Sequence, residues 1–264
     1  MNNQGKVILA GAGAGDPELI TLKTLRYLQK ADVILTDYLA SNVIIDEFAN
    51  PTAEIVYVGK QCKSGIKTPQ ASINDLLIHY AQQGLLVVRL KGGDVSIFSN
   101  IYDELITLKK HQINFEIIPG ITSALGAAAY AGIPLTAREY ANAVRFLTFY
   151  NTHTIETAQW KELAKTEDTL VFYMSSDKLI TIAQLLCQYE ADASKKIAVV
   201  EQATTPHQRV RVFEINELLN ENLSIDIISP ALIIVGKVVN LHNEFSWFHG
   251  QNYEVSYFKQ GVAT

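Results

Sequence analysis

Short apolar runs, each closed by glycine or a charged residue, alternate along the chain with stretches in which leucine and isoleucine recur at helical spacing. Residues 7–10 predict a first strand. Asp16 and Pro17 then offer a helix cap with proline at the first helical position, and Leu19, Leu22, Leu25 and Leu28 line one face of the helix that follows. Residues 33–36 predict a strand ending at Asp37, and residues 54–58 another ending at Gly59 and Lys60. Thr68 and Pro69 repeat the cap-plus-proline start, for a helix that buries Ile73, Leu76, Leu77 and Tyr80. Strands over 86–90 and 115–118 complete a first unit. The stretch 132–140 breaks the helix that opens near Ser123 and marks the passage into a second unit. There, strands are expected over 144–148, 169–173, 197–201, 210–213 and 231–235, with helices over 156–164 and 178–189.

Strands alternating with helices throughout predict an α/β protein. The boundaries read from this pattern are a first α/β domain over 1–135, a second over 136–248, and a polar, aromatic tail over 249–264 that is either loose or packed on a neighbour.

Composition narrows the function. With 48% apolar and 19% charged residues in 264, the chain is an ordinary globular protein with room for two cores. Its 22 basic against 27 acidic residues leave a net charge of −5, so no basic field is available for nucleic acid. No apolar stretch is long enough to span a bilayer. The polar start, running straight into a strand, has no leader character, and a cytoplasmic protein without membrane partner is expected. Cys62 and Cys187 lie far apart and match no disulfide or metal spacing, which fits free thiols in a reducing compartment. The six histidines are scattered, and no metal site is expected.

The candidate chemistry sits where strands end. Gly11-Ala12-Gly13-Ala14-Gly15-Asp16-Pro17, Leu90-Lys91-Gly92-Gly93-Asp94 and Pro119-Gly120-Ile121-Thr122-Ser123 each follow an apolar strand. Glycine lets main-chain groups approach a ligand without a Cβ between them, and open α/β sheets bind ligands beyond their strand C-termini. The first turn departs from the G-x-G-x-x-G dinucleotide pattern, and no G-K-[ST] follows it as a phosphate loop requires. Asp37 at a strand end is either a base at a cleft mouth or a turn aspartate. Lys60, Lys63 and Lys67 form either an anion clamp or a solvated basic loop. Asp94 either holds a ligand hydroxyl or ammonium or caps a tight turn. Thr122 and Ser123 open a helix and have capping as their first role. Met174, ending a strand, belongs more often to a core than to a ligand site.

Taken together and in this order, these motifs resemble the tetrapyrrole methylases, the class III S-adenosylmethionine-dependent methyltransferases. The resemblance covers roughly residues 6–248 and rests on the three turns, Ala31-Asp-Val-Ile-Leu-Thr-Asp-Tyr-Leu-Ala-Ser41, Val58-Gly59-Lys60, and the stretches 129–140, 169–174, 200–209 and 229–236. Val58-Gly59-Lys60 and residues 132–140 favour the branch that methylates uroporphyrinogen III over the later corrin methylases. The resemblance implies two α/β domains with the cofactor in the cleft between them, usually in a homodimer. It places the S-adenosyl-L-methionine contacts on Ala14, Gly92, Gly93, Asp94, Ile97, Thr122, Ser123, Met174 and Ala203. It puts the proton acceptor on Asp37 and the proton donor on Lys60.

The implied reaction is two successive C-methylations giving precorrin-2 for sirohaem or cobalamin synthesis, with S-adenosylhomocysteine as by-product. The chain carries no recognisable dehydrogenase or chelatase domain, so the expected product is precorrin-2 itself. The substrate is covered in carboxylates and the protein is acidic, so local cations must bind it: Lys63, Lys67 and Arg138 are the candidates, beside Lys60. Departures from the family pattern are Ala14 for proline, Ala203 for glycine, Ser175 for the glycine after Met174, and Val95-Ser-Ile-Phe-Ser-Asn100 for Pro-Phe-Ile-Phe-Gly-Arg. The arginine missing at Asn100 would have met the substrate. The altered stretch motivates one alternative, a non-catalytic module that only binds the donor; the alternative among enzymes is a methylase of a later corrin intermediate.

Overall fold

The computed structural model describes residues 5–59, 69–150, 155–220, 225–251, 253 and 255–258. The chain forms two compact units, Met1–Ser123 with Phe258–Thr264, and Ala124–Tyr257.

The first unit is built on β1 (Lys6–Gly11), β2 (Val33–Asp37), β3 (Glu54–Val58), β4 (Leu86–Lys91) and β5 (Asn114–Ile118). They form one parallel sheet in the order β3-β2-β4-β1-β5. Alternate residues pack two cores. Ile8, Ala10, Ile34, Val88 and Leu90 meet Leu28 of α1 (Leu22–Leu28) and Ile44 of α2 (Asn42–Phe48). Val7, Leu9, Val33, Leu35 and Val87 meet Ile73 and Leu77 of α3 (Gln70–Gln82) and Leu108 of α4 (Ile101–Lys110). A parallel sheet is covered on both faces, which is why its strands read as continuous apolar runs. The exceptions in β4 are Arg89 and Lys91, both buried.

The first helix departs from expectation. Asp16 and Pro17 start only a 3-10 turn, Pro17–Leu19, after which Ile20 is extended and Thr21 caps α1 through its hydroxyl. The helix therefore starts five residues later than its sequence signal, and Leu22 is 69% exposed instead of joining a leucine face.

The second unit holds β6 (Val144–Thr148), β7 (Thr169–Tyr173), β8 (Lys196–Glu201), β9 (Arg209–Glu214) and β10 (Ala231–Gly236). Their order is β6-β7-β10-β8-β9, parallel only between β6 and β7. Helices α6 (Thr157–Lys165) and α7 (Leu179–Gln188) cover one face through Trp160, Leu163, Ile182 and Leu186.

The units divide upstream of the boundary read from the sequence because α5 (Ser123–Ala131) is held by the end of the second unit. His242 Nδ1, opening α8 (His242–Phe245), donates to Ala131 O at 2.6 Å, and Trp247 Nε1 donates to Ala129 O at 2.8 Å. The tail is not loose where it is described. Gln251 N donates to Pro206 O at 2.7 Å, Tyr253 stacks on His207 at 3.9 Å, and Tyr257 N donates to Gln202 Oε1 at 2.6 Å.

Candidate active site

A parallel sheet delivers all its strand C-termini to one edge. Along that edge of the first unit, Gly59, Asp37, the Gly92-Gly93 turn, Gly11 and Gly120 follow one another in strand order. The three glycine turns leave the adjacent strands β4, β1 and β5. Several of these glycines make room for each other. An added Cβ on Gly120 would stand 2.3 Å from Gly93 O, and one on Gly11 would stand 2.6 Å from Gly120 N. Gly13 and Gly93 exchange backbone hydrogen bonds of 3.1 and 2.8 Å. The turns are thus knitted into one rim. Asp94 completes it: Oδ1 accepts from Ser96 N at 2.8 Å and Ser96 Oγ at 2.6 Å, and Oδ2 accepts from Gly120 N at 2.9 Å. Asp94 thus makes the turn-capping contacts that its position at the strand end suggested.

Gly93 has a different task. It sits at φ +69°, and a Cβ there would lie 3.5 Å from Ser123 Oγ and 4.0 Å from Thr122 Cα. Glycine therefore supplies the backbone conformation and keeps the space over Thr122 and Ser123 open.

Next to the rim lies a pocket of ≈ 400 Å³, lined among others by Asp37, Arg89, Lys91, Gly92, Ile97 and Asn100. Asp37 Oδ1 accepts from Arg89 Nη2 at 2.6 Å. A Cβ on Gly59 would come within 3.2 Å of the same oxygen, so the residue before Lys60 is kept small beside the carboxylate. Arg89 Nε reaches Glu104 Oε1 at 3.0 Å, and Lys91 Nζ reaches Glu104 Oε2 at 2.9 Å. Burial opposes the Arg89 charge, but Asp37 and then Glu104 outweigh it and hold the guanidinium above its ordinary value. Burial, and then the neighbouring Arg89 charge, pull the Lys91 ammonium below its ordinary value against the opposing pull of Glu104.

Asn100 caps α4 in the left-handed region at φ 56°, with Nδ2 donating to Asp103 Oδ2 at 2.9 Å. It lines the pocket and brings no charge to it. Lys60, Lys63, Lys67 and Cys62 lie outside the described residues.

In the second unit, Met174 and Ala203 follow β7 and β8, which flank β10 and end at the same sheet edge. Met174 is 55% exposed, so it belongs to no core. Ser175, standing where the family has glycine, is buried: Oγ accepts from Phe149 N at 2.8 Å and donates to Tyr173 O at 2.7 Å. Neither Ala14 nor Ala203 takes a positive φ, so alanine is accommodated at both. Strain gathers beside them instead. Of the non-glycine residues at positive φ, Phe98 and Asn100 border the pocket, while Met174, Gln202 and Thr204 border the two loops of the second unit. Such conformations cost about 1–3 kcal/mol each and concentrate at ligand sites. Arg138 is exposed, on a turn of the second unit.

Sequence reasoning missed Glu104 and the partnership of Arg89 with Asp37. The available signal was the position of Glu104 on the Ile101, Leu105, Leu108 face of a helix, opposite two charged residues spaced i, i+2 in an apolar strand. Among the described residues no group of histidine, cysteine and carboxylate side chains could hold a metal ion. No described helix is long and apolar enough to cross a membrane.

Known proteins with this organisation give it a family. A siroheme synthase of Saccharophagus degradans is 43% identical over 244 residues, 92% of this chain and 53% of that protein. The chain thus spans about half the length of the curated relatives it matches. Among solved structures, uroporphyrin-III-C-methyltransferase of Thermus thermophilus is 34% identical with a TM-score of 0.74, covering 93% of this chain and 98% of that one. A structure of the Thermus thermophilus enzyme complexed with S-adenyl homocysteine is 33% identical with a TM-score of 0.73, covering 90% of this chain and 94% of that one. The sequence profile of the tetrapyrrole (corrin/porphyrin) methylases matches residues 6–219. With the glycine rim, the pocket at Asp37 and most of its length accounted for, this chain belongs to the tetrapyrrole methylases.

Proposed function

We propose that the chain is a uroporphyrinogen-III C-methyltransferase, using S-adenosylmethionine to methylate two ring carbons in succession and yield precorrin-2 for sirohaem or cobalamin synthesis. The observation that carries this reading is Asp37, held at one oxygen by Arg89 on a pocket beside the glycine rim. Like the sequence match, it favours catalysis over a module that only binds the donor.

The donor, when bound, supplies an electrophilic methyl group on a sulfonium. The residues present fit it: the rim offers main chain, the hydroxyl-bearing Thr122 and Ser123 and the open space over Gly93. We assign donor contacts to Ala14, Gly92, Gly93, Asp94, Ile97, Thr122, Ser123, Met174 and Ala203. Asp94 acts there chiefly by shaping the turn, because both its oxygens are engaged within the rim. An electron-rich pyrrole carbon forms its new bond with its own π electrons. The charged ring must then lose a proton, which Asp37 accepts. Lys60 is the proposed proton donor, and Lys63, Lys67 and Arg138 the proposed partners of the substrate carboxylates. In a protein of net charge −5, screening over about 8 Å at physiological salt leaves such local cations to recruit an anionic substrate. We further propose a cytoplasmic homodimer.

Isothermal calorimetry tests the donor site. S-adenosylhomocysteine is expected to bind, and a nicotinamide dinucleotide is not. Binding of the dinucleotide alone would overturn the reading.

A further inference from the structure

Four ionisable side chains in the first unit form a connected line that methyl transfer through Asp37 and Lys60 does not by itself require. Arg89, 3% exposed, gives Nη2 to Asp37 Oδ1, Nε to Glu104 Oε1, and Nη1 to the carbonyls of Leu35 and Leu90 at 3.3 and 3.1 Å. Glu104 is fully buried and divides its two oxygens between Arg89 and Lys91. Two acids and two bases leave the group neutral. Asp37 keeps 25% of its side chain exposed, and no described residue donates to its Oδ2.

Stability does not explain this arrangement. Buried ion pairs are often replaceable by apolar residues without loss, because the cost of desolvating two charges rivals their attraction. What the line does achieve is orientation. A guanidinium is a planar fork, and one clamped by two carbonyls and a buried carboxylate has its remaining NH2 group, Nη2, fixed in one direction. Glu104 does not line the pocket, so it acts there only through Arg89 and Lys91.

Building on the methyltransferase reading, we propose that Arg89 and Glu104 are positioning residues for Asp37. Glu104 sets the guanidinium, the guanidinium fixes Oδ1, and Oδ2 stays uncommitted at the pocket to receive the substrate proton. Without the clamp the carboxylate turns about its own bond and the acceptor oxygen has no set place. Misplacing a reacting group by about 1 Å costs on the order of 100-fold in rate.

The test uses the full chain, Arg89→Met, and the double variant Arg89→Met/Glu104→Gln. Turnover of uroporphyrinogen III, the KM for the tetrapyrrole, donor Kd by calorimetry and the thermal midpoint are measured for each. The single variant strands Glu104 with Lys91 alone and is expected to lose stability. The double variant removes one charge of each sign, leaves Asp37 and Lys91 balanced, and is expected to regain most of that stability. Its kcat is expected to remain down by about 100-fold, with KM and donor Kd within a few-fold of the unmodified chain. A double variant with the unmodified kcat would make the line purely structural, and a raised KM at normal kcat would make it a substrate-binding element; either result overturns the proposal. An unmodified chain that binds donor but makes no methylated tetrapyrrole would instead overturn the methyltransferase reading, and this role with it.

Discussion

Replacing Asp37 by asparagine is expected to lower tetrapyrrole turnover by about 10²–10⁴-fold, the range typical of losing a positioned general base. Donor affinity is expected to stay within about threefold, because no described rim residue donates a hydrogen bond to the Asp37 carboxylate and a contact not made to the donor removes no binding energy from it. The substitution is also gentle on the fold. An amide oxygen still accepts from Arg89 Nη2, the side chain is partly exposed, and Glu104 continues to hold Arg89 and Lys91. Calorimetry for the donor together with steady-state kinetics for the tetrapyrrole separates the two effects. Equal losses of turnover, donor binding and thermal midpoint would mark Asp37 as a turn residue.

The largest effect on stability is expected at Glu104. Glu104→Ala leaves Arg89 and Lys91 buried side by side with only Asp37 to balance them. Removing one partner of a buried ion pair costs about 3–5 kcal/mol, a large part of the roughly 5–15 kcal/mol that holds a typical protein folded. Urea unfolding at neutral pH measures it.

The deficit should shrink with alkali. Lys91 titrates below the ordinary lysine value of 10.5, chiefly because it is buried and next because Arg89 is near. Between that depressed value and 10.5 the unfolded chain holds more of the proton, so stability rises with pH. Glu104 is what keeps the folded value from falling further. Its loss extends this window to lower pH, and the variant should approach the unmodified chain as pH rises from 6 to 9. A deficit that is flat across this range would mean that Lys91 holds its proton equally in both folded chains, so that Glu104 does not sustain its charge.

Much of this was readable in advance, for identifiable reasons. The strands were legible because burial on both faces leaves little but valine, isoleucine and leucine in them, and the predicted cores of β1, β2, β4, β7 and β8 fall within the observed elements. Position at strand ends was legible too, since glycine turns and Asp37 each follow such a run.

What local pattern concealed was decided by contacts distant in sequence. The leucines at 19, 22, 25 and 28 have helical spacing, yet Thr21 competes as a cap and only Leu28 of them is buried. The helices α2 and α4 escaped notice because each is short and mixes polar residues into its apolar face. Glu104 looked like any surface acid between Asp103 and Leu105 until Arg89 and Lys91, more than ten residues upstream, were seen to face it. The glycines were correctly located, but the reason assigned to them was incomplete: Gly11 and Gly120 admit neighbouring backbone, and only Gly93 keeps open space over Thr122 and Ser123.

The most direct measurement is the stoichiometry of methyl transfer. The full chain is incubated anaerobically with fresh uroporphyrinogen III and excess S-adenosylmethionine, and S-adenosylhomocysteine and tetrapyrrole products are quantified together by mass spectrometry. Two equivalents of S-adenosylhomocysteine per tetrapyrrole consumed, with a dimethylated product, is the result this account predicts. A chain that binds S-adenosylhomocysteine yet leaves uroporphyrinogen III unmethylated would contradict it.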